Sequence, residues 1–329
     1  MKKTIFFLLT VFLLAGFCFG INVTSAAGPV KLKAISFVPK NHPLVNPQGH
    51  EWIKMINEAL EGTVEIKYTG GPEVVPPKEQ IEAVRNNVVQ ITMLPVAYYS
   101  SHAPSAATAV LVKFKSAMEM RKSDYHKYLV EVHEGIGVRY IGPVIWGGFY
   151  TWSKKSIKHI EDLKGMKMRS FFLYDRFQKA LGIAPVNMPT GEIFIALERG
   201  VIDGFCFPLV GPRVMGLTKS AKYLIPYPFY ANDVMFLMNL KTWNKLPKSA
   251  QAKIDEITGK KYDPYMMDFV NGNEKKEWVE LAKVGVKKVN FPPEIAKRYV
   301  DTAYDVKWKE FSEKIPGDLI EKLKKLTGN

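Results

Sequence analysis

Residues 161–208 read EDLKGMKMRSFFLYDRFQKALGIAPVNMPTGEIFIALERGVIDGFCFP, and their punctuation decides the fold. Met166–Phe172 is a short, largely apolar run whose alternation makes it a strand. Leu173–Leu181 has helical spacing and stops at Gly182. Ala184–Met188 forms a second strand. Pro189-Thr190-Gly191-Glu192 then opens a helix whose Ile193, Ala196 and Leu197 share a face, and Gly200 ends it. Val201–Phe207 is a third strand. Strand, helix, strand, helix, strand is the rhythm of a parallel α/β sheet. In the first strand Met166, Met168 and Ser170 point one way, and Lys167, Arg169 and Phe171 the other. A guanidinium beside a ring, between apolar neighbours, is either a structural ion pair with a nearby carboxylate or an anion site.

The same rhythm occurs upstream. Val30–Val38 is a β-rich run ended by Pro39 and Pro43, and residues 48–60 place Trp52, Ile56 and Leu60 on one helical face before Gly62. Thr63–Tyr68 alternates as a half-buried strand, and Gly70-Gly71-Pro72 breaks the chain. Glu79–Asn87 reads as a helix and Val88–Leu94 as a strand. Val138–Trp146 and Phe149–Ser153 add strands, Asp162–Gly165 a turn, and the chain turns mostly helical from about residue 246. The fold class is therefore α/β, with two lobes and a helical tail. The cleft between them lies at the carboxyl ends of the strands, where open α/β folds take ligands.

The first 27 residues stand apart. Lys2 and Lys3, an apolar run from Ile5 to Phe19, and the small residues Ser25-Ala26-Ala27 have the layout of a cleaved secretory leader. The run is short for a membrane span. Phe17 stands before Cys18 where lipid attachment would want a small residue. Loss of the leader takes the net charge from +14 to +12. The lysines are scattered, as at Lys275, Lys276, Lys283, Lys287 and Lys288, and no zinc-finger or RNA-binding motif accompanies them, so no nucleic-acid partner is expected. Cys206 has no partner after cleavage, which excludes a disulfide framework.

Motifs of catalysis are missing. There is no G-x-S-x-G elbow, phosphate loop, dinucleotide fingerprint or H-E-x-x-H helix; His133-Glu134 comes nearest to the last, but Gly137 occupies the second histidine's place. Ser100-Ser101-His102 are sequence neighbours, which rarely make a nucleophile–base pair. The six histidines lack metal-ligand spacing, so neither metal nor cofactor is expected, and nothing speaks for an enzyme.

"EDLKGMKMR" followed by "ALGIAPVNMPTGEIFIALERGVIDG" resembles the pattern D-L-K-G-x-K-x-R, then A-L-G-x-x-P-V-x-M-P-x-x-E-x-x-x-A-L-x-x-G-x-x-D-G. That is the signature of the solute-binding subunits of tripartite ATP-independent periplasmic (TRAP) transporters, the DctP family. "FVPKNHPL", "EAVRNNVVQITMLPVAYY" and "KYLIPYPFY…MNLKTWNKLP" extend the similarity, in the family's order, over nearly the whole mature chain.

The resemblance implies a periplasmic-binding-protein-like fold, with two α/β lobes joined by crossing strands and a long helix. After a 1–27 leader, lobe I would hold 28–145 plus about 235–275, and lobe II 146–234 plus about 276–329. It implies a periplasmic receptor for a small-molecule carboxylate that works with the membrane permease subunits of a TRAP transporter, and it makes Arg169 the carboxylate clamp. A planar guanidinium fork suits a carboxylate bidentately. The resemblance also brings Phe37 and the strand end at Leu94 to the cleft, with Tyr98 following as a hydroxyl donor or as packing.

Two departures shape the expected ligand. Many members carry a second arginine where this chain has Gly148, and an asparagine where it has Phe207. Trp146, Tyr150, Phe171, Phe205 and Phe207 crowd the neighbourhood, as pocket lining or as core, and alternation puts Phe205 and Phe207 on one face. With the space left at Gly148, they favour an apolar or aromatic body behind the carboxylate. A sensory adaptor for the same ligands, or a periplasmic enzyme acting on a carboxylate, are the alternatives.

Overall fold

A strand buried on both faces belongs inside a sheet, and every residue of Ile91–Pro95 and of Val234–Asn239 is buried. The structure, a computed structural model, describes residues 28–42, 45–144 and 147–329, without the side chains of 45 and 46. The expected leader with Cys18, the break at Pro43 and the candidate Trp146 lie outside the described residues. In chain order the strands are β1 Val30–Ser36, β2 Val64–Gly70, β3 Ile91–Pro95, β4 Val138–Pro143, β5 Gly148–Ser153, β6 Lys167–Ser170, β7 Ala184–Asn187, β8 Gly204–Pro208, β9 Tyr223–Ala231, β10 Val234–Asn239 and β11 Lys287–Lys288.

They form two sheets, ordered β2-β1-β3-β10-β4 and β11-β9-β5-β8-β6-β7. In the first, β1 runs parallel to β2 and β3, while β10 is antiparallel to β3 and β4. In the second, β6 runs parallel to β7 and β8, and β5 is antiparallel to β8 and β9. Each sheet has a core of its own, and a third cluster of buried residues runs from the first sheet at Ile35, Leu94 and Leu237 to the second at Met168 and Cys206. Trp52 from helix Val45–Ala59 stacks on Phe236 of the first sheet at 4.3 Å, and Trp152 stacks on Phe205 in the second at 5.9 Å. The result is two α/β lobes.

Four links join them. The chain crosses from β4 to β5 and returns from β9 to β10. These crossings are bonded side by side: the Val144 N–H donates to Val234 O at 2.7 Å, and the Asn232 N–H to Gly147 O at 2.7 Å. The third link is the helix Asp263–Lys283, whose Met266 packs in the first lobe's core and whose Leu281 packs in the second's. The C-terminal residues return to the first lobe, where Lys113 N–H donates to Thr327 O at 2.9 Å and Asn329 Nδ2 to Leu111 O at 2.6 Å.

Several elements are shorter than alternation predicts. β6 stops at Ser170, so Phe171 lies past the strand, and the following helix spans only Asp175–Ala180. Asp162–Gly165, read as a turn, overlaps a 3-10 turn over Ile160–Leu163. β8 begins at Gly204 rather than Val201, because Val201 and Ile202 are tied back to Ala196 O of the preceding helix.

Candidate functional site

Between the lobes, at the carboxyl ends of β3, β6 and β8, lies a cavity of about 1120 Å³ counted with its opening to solvent. The first lobe contributes Phe37, Gln48, Pro95 and Tyr98, the second Phe149, Arg169, Phe171 and Phe207, the crossing Asn232 and Asp233, and the linking helix Phe269 and Glu274. Most of the wall is apolar.

Arg169 is the penultimate residue of β6, paired with Val186 of β7 and Phe205 of β8, which fixes where its side chain leaves the sheet. It is 5% exposed. Its Nε donates to Met188 O at 3.2 Å, Nη1 to the Tyr174 hydroxyl at 2.5 Å and Nη2 to Thr190 Oγ1 at 3.4 Å. The Tyr174 hydroxyl in turn donates to Cys206 O at 3.1 Å, and burial pushes its pKa up. The Phe171 ring lies 5.7 Å from the guanidinium carbon. All of these partners are neutral. Among the described residues no carboxylate lies within ion-pair distance of Arg169, whereas Arg121, Arg139, Arg176, Arg213 and Arg298 all have one. Of the two readings of Arg169 in sequence, the geometry fits an anion site.

Rings close the cavity across the lobes. Tyr98 of the first lobe lies 5.3 Å from Phe171 and 5.7 Å from Phe172 of the second, and 5.9 Å from Phe37. Burial raises the Tyr98 pKa, with the charge of Arg169 acting the other way. The phenol stays protonated at neutral pH.

The sequence candidates divide. Arg169, Phe171, Phe207, Tyr98 and Phe37 line the cavity. Phe205, Tyr150 and Leu94 do not, and the expectation for them is corrected. Phe205 is fully buried against Trp152, and Leu94 is fully buried in the core cluster that runs through both lobes. Tyr150 faces the cluster around Ile193 and Trp278, while its neighbour Phe149 takes the cavity face. Gly148 does line the cavity, but not as spare room: a Cβ there would stand 2.8 Å from Pro228 Cβ and 3.3 Å from Tyr230 O.

Other lining residues escaped the sequence reading. Asp233, in the break between β9 and β10, is 5% exposed and accepts the Val96 N–H at 3.1 Å; burial raises its carboxyl pKa to about 7. Burial also raises Glu274, half-buried on the linking helix. Burial lowers His42 to about 4, leaving it neutral at pH 7. The break after β9 was a signal for Asp233. Glu274 sits beside Lys275 and Lys276, which read as a solvated face.

The sequence profile of the DctP family, "Bacterial extracellular solute-binding protein, family 7", matches residues 35–314. The chain is 30% identical over 218 residues to a monocarboxylate 2-oxoacid-binding periplasmic protein of Nostoc sp., covering 60% of this chain but only 57% of that protein's length. Among solved structures, an extracytoplasmic solute receptor of Bordetella pertussis binding pyroglutamic acid superposes with a TM-score of 0.77 at 17% identity, over 91% of this chain and all of that one. A TRAP periplasmic solute-binding protein of Desulfovibrio salexigens with bound orotic acid gives 0.78 at 21% identity, over 91% and 97%. At such identities the structural likeness speaks for the fold.

Proposed function

The chain belongs to the DctP family of bacterial extracellular solute-binding proteins, and from that premise we propose that it captures a small organic carboxylate between its lobes, with Arg169 as the clamp. One observation carries this reading: a guanidinium, buried at the wall of an interlobe cavity, whose hydrogen-bond partners among the described residues are neutral oxygens. An anion bound there gains charge-assisted, bidentate hydrogen bonds in a site screened less than bulk water. The rings of Phe37, Tyr98, Phe149, Phe171 and Phe207 favour an apolar or aromatic body behind the carboxylate.

Binding favours the closed state because the Arg169 side and the Tyr98 side then hold one ligand together. We assign the lobes as 28–145 with about 235–275, and 146–234 with about 276–329, the helix Gly317–Leu326 reaching back to the first lobe. Exported to the periplasm, the closed complex delivers its cargo to the membrane permease subunits of a TRAP transporter. No bond is made or broken, as befits a family of solute-binding receptors. Among the described residues no helix is long and apolar enough to cross a membrane.

A thermal-shift panel of aliphatic, hydroxy, keto and aromatic acids, each beside its methyl ester, tests the reading. Acids that bind should raise the melting temperature by mass action, and their esters should not. Esters that stabilise as well as the acids would overturn it.

A further inference from the structure

The cavity wall has the wrong balance of groups for a ligand that is only an anion. Among the described residues that line it, Arg169 is the one permanent cation, while Asp233 and Glu274 both carry carboxyls. Glu274 has no ion-pair partner among the described residues, although eighteen other carboxylate–cation contacts join side chains elsewhere. A plain carboxylate would neutralise Arg169 and leave Glu274 without a cation in the cleft, where like charges repel most.

An independent observation points the same way. Gln48 is 3% exposed, lines the cavity from the helix Val45–Ala59, and its Oε1 has no hydrogen-bond partner among the described residues. A buried amide oxygen left unmet is uncommon, because it gives up its hydration for nothing. It is an acceptor, and the carboxylate of Glu274 is an acceptor too. Together they ask for a donor, and beside a carboxylate they ask for a charged one.

On the reading of Arg169 as carboxylate clamp, we infer that the ligand is a zwitterion: an amino acid with an apolar body, its carboxylate on Arg169 and its ammonium met by Glu274 and Gln48. The acidic wall then has its cation, and the orphaned amide oxygen its donor.

Isothermal titration of the full-length mature chain with matched pairs tests this. Phenylalanine is compared with 3-phenylpropanoate, and 6-aminohexanoate with hexanoate, so that both near and distant ammonium positions are sampled. Phenethylamine serves as the cation without a carboxylate. In at least one pair the amino acid should bind about tenfold tighter or more than its des-amino partner, the order expected of a hydrogen bond to a charged group. Phenethylamine should not bind. Glu274→Gln, which keeps the side chain's shape, should collapse that ratio towards one. Gln48→Leu should erode it in the same direction. If the des-amino acids bind as tightly as the amino acids in both pairs, the zwitterion is wrong and the carboxylate clamp stands. If the acids bind Arg169→Ala as tightly as wild type, both fall.

Discussion

A guanidinium taken out of water is costly unless charge or strong acceptors replace its lost hydration. Arg169 has three neutral oxygens and a ring, enough to hold its orientation but not to cancel its charge. The site is therefore set before the ligand arrives, and the incoming anion replaces hydration rather than reorganising protein. Asp233 shows the opposite adjustment. Its carboxyl, ordinarily at 3.8, is pushed to about 7 by burial, so the native state keeps a proton that the unfolded chain releases. Its contribution to stability is whole below about pH 4 and drains away as pH rises to about 7. Asp233→Asn can still accept the Val96 N–H and stays neutral throughout. The melting-temperature difference between variant and wild type should therefore move in the variant's favour from pH 4 to 7 and level off above. His42 and His133, both lowered to about 4 by burial, act in the reverse sense as pH falls from 6.5, but they are common to both proteins and cancel. A difference that stays flat across that window would mean Asp233 is ionised in the folded chain.

At the scale of elements, the crossing strands are the most demanding. Gly148 pairs with Ala231 as β5 leaves the crossing, and Pro228 closes on the place where a Cβ would sit. Gly148→Ala should lower stability by about 1–3 kcal/mol, the usual cost of overpacking, read as a fall in melting temperature; an unchanged value would show that Pro228 can yield. The parallel runs β1 to β3 and β6 to β8 were legible in sequence because glycine or proline punctuates them, as Gly165 before β6 and Pro208 at the end of β8; β9, β10 and the antiparallel pairing of β5 and β10 were not read. What alternation could not tell is which end of a strand meets the cleft. Leu94 and Pro95 differ by one position, yet only the last residue of β3 lines the cavity. Phe205 and Phe207 share a face of β8, but only Phe207, near the carboxyl end, reaches it. At β5 the choice between Phe149 and Tyr150 turned on register, since a one-residue slip exchanges the two faces. Gln48, Asp233 and Glu274 were hidden for another reason: they come from a helix face, a strand break and a lysine-flanked helix, and only tertiary packing brings them to one cavity.

Across the whole molecule, two sheets are held by two paired crossings, a linking helix, the returning C-terminal residues and a buried cluster that runs through both lobes, while at the cavity the lobes touch through the rings of Tyr98, Phe171 and Phe172. On the proposed function those contacts hold the closed arrangement. Tyr98→Ala should weaken ligand binding by about 1–3 kcal/mol, since aromatic truncation removes buried area and ring pairing, with little change in the melting temperature of the unliganded chain. An affinity equal to wild type would mean that closure does not depend on this contact. The clamp itself is tested most directly by calorimetric titration of wild type and Arg169→Ala with the acid that gives the largest thermal shift. The account predicts binding weaker by about 2–5 kcal/mol, with the unliganded variant folded and melting no lower than wild type, because an uncompensated buried charge has been removed. Equal affinity in the two proteins would contradict it.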